Sequence, residues 1–240
     1  MILERITFTG VDEKTHIGRA KAIAKASRHR VEYGILASKS AAGKKPRYPT
    51  VRQVNDTANS LMDSPNLKVA VHVCGGWSRQ LLKGDAEFFE EIHAVNYRRL
   101  QWNINAGQVP QSKWDLEAAV AAMKKHFHGM TQLIIQRNND MSVTLAEELG
   151  LLGIDMAVLF DASGGRGVVA DQWEQPDGPY CGYAGGLSPE NVAINLQNLA
   201  DFLPEDQSIW IDMESGVRTN DWFDLGKVEA VLKAIPPEIV

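Results

Sequence analysis

Eight short apolar runs, separated by helix-like stretches, constrain this chain more than any other feature of it. They fall at residues 6–9, 31–37, 67–73, 99–104, 132–136, 156–160, 180–184 and 208–211. Most are apolar at nearly every position rather than at every second one. That is the pattern of strands covered on both faces, as in a parallel sheet. Residues 17–26 place Ile17, Ala20 and Ala24 on one helical face. Residues 50–62 open on Thr50 as a cap and repeat Val51, Val54, Ala58 and Leu61. Residues 85–94, 114–127 (capped by Ser112), 142–149 (opened by Ser142 and stopped at Gly150) and 225–234 read the same way. Pro189 suits the first position of another helix. Alternation of this kind predicts a parallel α/β sheet. Eight units predict closure into a single (β/α)8 TIM barrel occupying residues 1–240 as one domain, since such barrels commonly run to about 200–250 residues.

One connection breaks the rhythm. Residues 161–180 carry Gly164-Gly165-Arg166-Gly167 and lack helical periodicity. Connections longer than about 12–15 residues are usually functional or disordered, so this one is expected to close over a ligand. Composition narrows the partners. A net charge of −5 predicts no nucleic-acid partner. Cys74 and Cys181, the two cysteines, fit neither a zinc motif nor a disulfide framework, which predicts a reducing, cytoplasmic setting and no metal. No apolar run is long enough to cross a membrane or serve as a leader, so no membrane partner is expected.

In a barrel of this kind the active site lies on the loops that follow the strands, with phosphate often held after the last two. Gly185 and Gly186 follow the seventh run, and Ser215 and Gly216 follow the eighth. Glycines let backbone amides approach an anion closely, and a helix beginning near Ser188 would aim its positive end at it. A phosphorylated small molecule is therefore the expected partner, with no cofactor. Asp161, at the end of the sixth run and beside the glycine-rich loop, is placed to donate a proton.

Three stretches together resemble phosphoribosylanthranilate isomerase, a (β/α)8 enzyme of tryptophan biosynthesis. They are Phe160-Asp161-Ala162-Ser163-Gly164-Gly165-Arg166-Gly167, then Tyr183-Ala184-Gly185-Gly186-Leu187-Ser188-Pro189-Glu190-Asn191-Val192, and Ile211-Asp212-Met213-Glu214-Ser215-Gly216-Val217. Ser38-Lys39-Ser40 and Pro46-Arg47-Tyr48 are similar to that family's Ser-Pro-Arg segment. The resemblance implies an aldose-to-ketose rearrangement of a sugar-amine. An acid protonates the ring oxygen and a base removes the C2 proton. By resemblance Asp161 is the acid, Arg47 binds a substrate carboxylate, Asp212 makes a polar substrate contact, and Gly185, Gly186, Ser215 and Gly216 take the phosphate.

The family's base is a cysteine, and Thr9 stands at its position. A threonine hydroxyl is far too weak an acid to replace a thiolate. Glu214, where the family has serine, is a candidate substitute, its pKa expected to rise beside a phosphate. His72 and Cys74 lie near the end of the third run, where a satisfied core histidine and a small buried hydrophobe are the plain readings. Asn103, Asn105, Arg137 and Asn138 add polarity to the rim, as though it were rebuilt for another ligand. The expectation is an isomerase on a phosphorylated sugar or sugar-amine that differs from the family's usual substrate. A phosphate-ligand-binding or regulatory protein without chemistry is the alternative. A Schiff-base aldolase would need a strand-end lysine, and Lys39 is the nearest approach.

Overall fold

A computed structural model describes residues 1–62, 67–93, 99–104, 109–126, 132–161, 163 and 172–239. Asn105 and the glycine-rich residues 164–167 singled out above lie outside the described residues, as does half of the connection expected to close over a ligand. Eight parallel strands form a closed barrel in chain order. They are β1 (Ile2–Thr9), β2 (Val31–Ser38), β3 (Leu67–Cys74), β4 (Arg99–Trp102), β5 (Gln132–Arg137), β6 (Met156–Asp161), β7 (Tyr180–Ala184) and β8 (Ser208–Met213). β8 pairs with β1, and Thr7 lies opposite Asp212. All eight residues of β2 are buried, which is why its run is largely apolar, with Glu32 the one charged residue in it.

The helices are α1 (Ile17–Ala26), α2 (Val51–Met62), α3 (Gly75–Leu81), α4 (Glu87–Glu91), α5 (Leu116–His126), α6 (Asp140–Leu151), α7 (Val192–Phe202) and α8 (Leu225–Ala234). Several boundaries correct the sequence reading, and capping chemistry explains most of them. Ser112 sits in a single 3-10 turn, and it is Asp115 whose Oδ1 accepts from the Ala118 amide at the start of α5. Asn139 caps α6 and forms a capping box with Ser142, which is therefore inside the helix rather than at its mouth. Its end passes Gly150 and turns at Gly153, φ +71°. Pro189 lies in a turn, and α7 begins at Val192. β4 stops at Trp102, and the helix expected over 85–94 is confined to 87–91. The sequence reading missed α3 because two glycines, Gly75 and Gly76, open it.

Most apolar side chains pack between the strands and the helices. Inside the barrel a smaller cluster of Ile134, Ala157, Leu159, Ala184 and Trp210 forms an apolar layer. Trp210 is fully buried and faces Gly182 across the β7–β8 pair. A Cβ on Gly182 would overlap the indole, so the strand supplies glycine where the ring needs room. Arg5, Glu32 and Arg99 are gathered nearby, with the Arg99 guanidinium 4.3 Å from the Trp210 ring centroid. Glu32 accepts from Arg99 at 2.8 Å, Thr7 at 3.0 Å and Arg5 at 3.2 Å, tying β1, β2 and β4 together through the interior.

Candidate active site

The strand ends open into a cavity at the mouth of the barrel. Thr9, Asp161, Ala184 and Asp212, all at or near the C-terminal ends of their strands, line it. Asp161 pairs in register with Ala184, and Ala184 with Asp212. The two carboxylates therefore stand at one level, two strands apart across a small side chain. Strands lie about 4.8 Å apart, which puts the two backbone positions roughly 10 Å from each other.

Their environments differ. Asp161 Oδ1 accepts from the Ser163 amide at 3.1 Å and the Ser163 hydroxyl at 2.6 Å, and Oδ2 accepts from Gln136 Nε2 at 2.7 Å. The side chain is thereby fixed in direction. Asp212 Oδ1 accepts from the Thr9 hydroxyl at 2.7 Å. Burial pushes the Asp212 carboxyl up to about 7; the Thr9 bond works against that rise, and the like charges of Glu214 and Glu32 add to it. Thr9, at the position of the expected base, thus serves as a donor to a carboxylate that titrates near neutrality.

Arg47 and Glu214 meet each other. Arg47 donates to Glu214 at 2.8 Å and to Asp221 through Nε at 2.9 Å. Asp221 reaches Arg47 because Arg218–Thr219 and Trp222–Phe223 form a small antiparallel ribbon. Both of its turn residues, Asn220 (φ +52°) and Asp221 (φ +63°), are left-handed. Asn and Asp tolerate that conformation, and two such residues make the hairpin turn that suits strand twist. The sequence reading passed over this Asn-Asp signal. Glu214 is a third exposed, and burial raises its pKa while Arg47 and Arg218 pull it back.

The two glycine turns come together. Gly185 and Gly186 hold φ values of +125° and +60°, a region open to glycine at little cost. Asn191 staples the turn by donating to the Gly186 carbonyl at 2.9 Å and accepting from the Ser188 amide at 2.8 Å. Ser215 and Gly216 form a 3-10 turn whose backbone presses on Leu187 so closely that a Cβ on Gly216 would strike the Leu187 carbonyl. Among the described residues no backbone carbonyl accepts from the amides of Gly186 or Gly216.

Cys74 is half-buried, and burial, with help from Glu214, pushes its thiol up to about 12. It offers no thiolate near neutrality. His72 is buried and lines the cavity, but its Nε2 has no hydrogen-bond partner among the described residues, so it is not the satisfied core histidine expected. Asn103 turns inward, accepting from Gln101 at 3.0 Å, whereas Arg137 bonds to Asp177 at 3.0 Å away from the cavity lining. Lys39 pairs with Glu87 rather than entering the mouth. Among the described residues no three His, Cys, Asp or Glu side chains converge as metal ligands would. No helix there is long and apolar enough to cross a membrane.

Residues 100–234 match the family model described as N-(5′-phosphoribosyl)anthranilate (PRA) isomerase. Among solved structures, the enzyme of that name from Thermus thermophilus is similar with a TM-score of 0.56 and 16% identity, covering 96% of this chain and 97% of that one. Its counterpart from Thermococcus kodakaraensis gives 0.54 and 16%, covering 97% and 98%. That from Pyrococcus furiosus gives 0.53 and 13%, covering 98% of each. At these identities the structural likeness carries the fold alone. No curated protein matches the chain significantly.

Proposed function

This chain belongs to the N-(5′-phosphoribosyl)anthranilate isomerase family, and from that premise we propose an isomerase acting on a phosphorylated sugar or sugar-amine other than the family's usual substrate. The observation that carries the proposal is Asp212, a buried carboxyl with its pKa at about 7, bonded to Thr9 at the position of the absent base. A base works best when its pKa lies near the operating pH. Asp212, first expected as a substrate contact, is therefore assigned the C2 proton, with Thr9 orienting it. Asp161 keeps the assignment that the resemblance implies, giving a proton to the ring oxygen. Ring opening, loss of the C2 proton and tautomerisation then turn an aminoaldose into an aminoketose. The amides around Gly185, Gly186, Ser215 and Gly216 take the phosphate.

The usual substrate fits less well on two counts. Thr9 supplies no thiolate, and the Arg47 fork is already filled by Glu214 and Asp221 instead of awaiting a carboxylate from the ligand. In this proposal Arg47 holds Glu214 at the edge of the site.

The test is a thermal-shift screen of phosphorylated sugars followed by turnover assays. A ligand at one hundred times its Kd stabilises by about 2.7 kcal/mol, a Tm rise of roughly 5–10 °C for a chain of this size. With a turned-over substrate in hand, Asp212→Asn and Asp161→Asn should each lower kcat on the order of 10²–10⁴-fold while leaving phosphate affinity nearly unchanged. Undiminished turnover in Asp212→Asn would falsify its role as base. The second reading, a phosphate-ligand-binding protein without chemistry, is favoured by Thr9 alone. Ligands that stabilise but never turn over would establish it.

A further inference from the structure

Polar side chains in the mouth satisfy one another almost completely. Thr9 donates to Asp212, Gln101 to Asn103, Asn103 to Cys74, and Gln136 and Ser163 to Asp161. His72 stands outside this pairing. It sits on β3 opposite Leu36 of β2 and Gln101 of β4, is 1% exposed, and lines the cavity. Its Nε2 is buried and without a partner among the described residues. Buried polar atoms are bonded in the great majority of cases, and one left alone costs as much as a lost hydrogen bond. A Cβ on Gly34 would overlap the Thr9 hydroxyl and come within 2.9 Å of His72 Nε2, so both groups pack closely against the bare backbone of Gly34.

We propose that His72 is a substrate-binding residue whose Nε2 exchanges a hydrogen bond with an uncharged oxygen, a hydroxyl or a carbonyl, on the sugar portion of the phosphorylated ligand. This rests on the phosphorylated-sugar reading above and names the group that recognises the sugar rather than the phosphate. The partner is uncharged because the imidazole is. Burial, and then the positive charge of Arg99, hold its pKa at about 3, and it stays neutral through the working range. A neutral imidazole donates or accepts one bond and can polarise a carbonyl without giving up a full proton. His72 therefore complements Asp212 and does not duplicate it.

The test compares two probes, inorganic phosphate and ribose 5-phosphate, by calorimetry. In the wild type ribose 5-phosphate should bind more tightly than phosphate. His72→Phe keeps a ring of similar size and removes the nitrogen. It should weaken ribose 5-phosphate on the order of tenfold and leave phosphate unchanged, and His72→Gln should restore part of the loss. The imidazole ¹⁵N resonances of His72 in the wild type give a measurement that needs no folded variant. They should shift with ribose 5-phosphate and not with phosphate. Equal affinities in wild type and His72→Phe, or imidazole resonances that ignore ribose 5-phosphate, overturn the role of His72. A wild type that binds neither probe ends the phosphate reading itself.

Discussion

At the scale of single residues the proposed chemistry concentrates in Asp212. Its folded pKa of about 7 stands above the roughly 3.9 of an unfolded aspartate. Its contribution to stability is thus present in full below about pH 4 and is lost as pH rises through 7. Asp212→Asn removes that loss. Unfolding free energies from urea denaturation should move in the variant's favour between pH 4 and pH 8, by an amount on the order of a few kcal/mol; a difference independent of pH would refute the raised pKa. Thr9→Val deletes a hydrogen bond that favours the charged form, and the carboxyl ¹³C titration of Asp212 should then move above 7. That Asp161, Asp212 and the glycine turns line one cavity was legible in the sequence because each stands at or just past the end of an apolar run. The partnership of Thr9 with Asp212 was not, since 203 positions separate them and only closure of β8 onto β1 brings them together. The same holds for Arg47 and Glu214, 167 positions apart.

At the scale of elements the strands were readable and the helix ends were not. A strand buried on both faces leaves a run that needs no knowledge of its neighbours. A helix terminus depends on which side chain actually turns back onto a free amide, and Ser112 and Asp115 compete for that part in the sequence. The difference is measurable. Asp115→Ala should cost about 1 kcal/mol by chemical denaturation, and Ser112→Ala close to nothing. Equal costs would return the cap to Ser112. The Asn220-Asp221 turn shows the converse, a local signal with a distant effect. By folding the chain back it sets Asp221 against Arg47, and it lets Arg218 reach Asp12 at 3.3 Å and the Gly10 carbonyl.

At the scale of the whole molecule the barrel interior is divided. In the triad of Arg5, Glu32 and Arg99, Glu32 and Arg99 are buried and Arg5 is partly so. Breaking a buried ion pair by removing one partner strands the other charge. Glu32→Gln leaves two cations without their counter-charge and should cost on the order of 3–5 kcal/mol, read as a lower denaturation midpoint. Inorganic phosphate affinity at the mouth should stay as in the wild type; a joint loss would mean that the two ends are coupled. Between triad and mouth lies the layer of Trp210, Leu159 and Ile134, and it makes the barrel a cup instead of a tube. Among the described residues its opening lies over the strand ends. On the proposed reading, whatever enters there backs out the same way, so release of one molecule precedes entry of the next. A product that lingered would then obstruct fresh substrate by occupancy alone, and the throughput of the site would be governed by traffic at its rim.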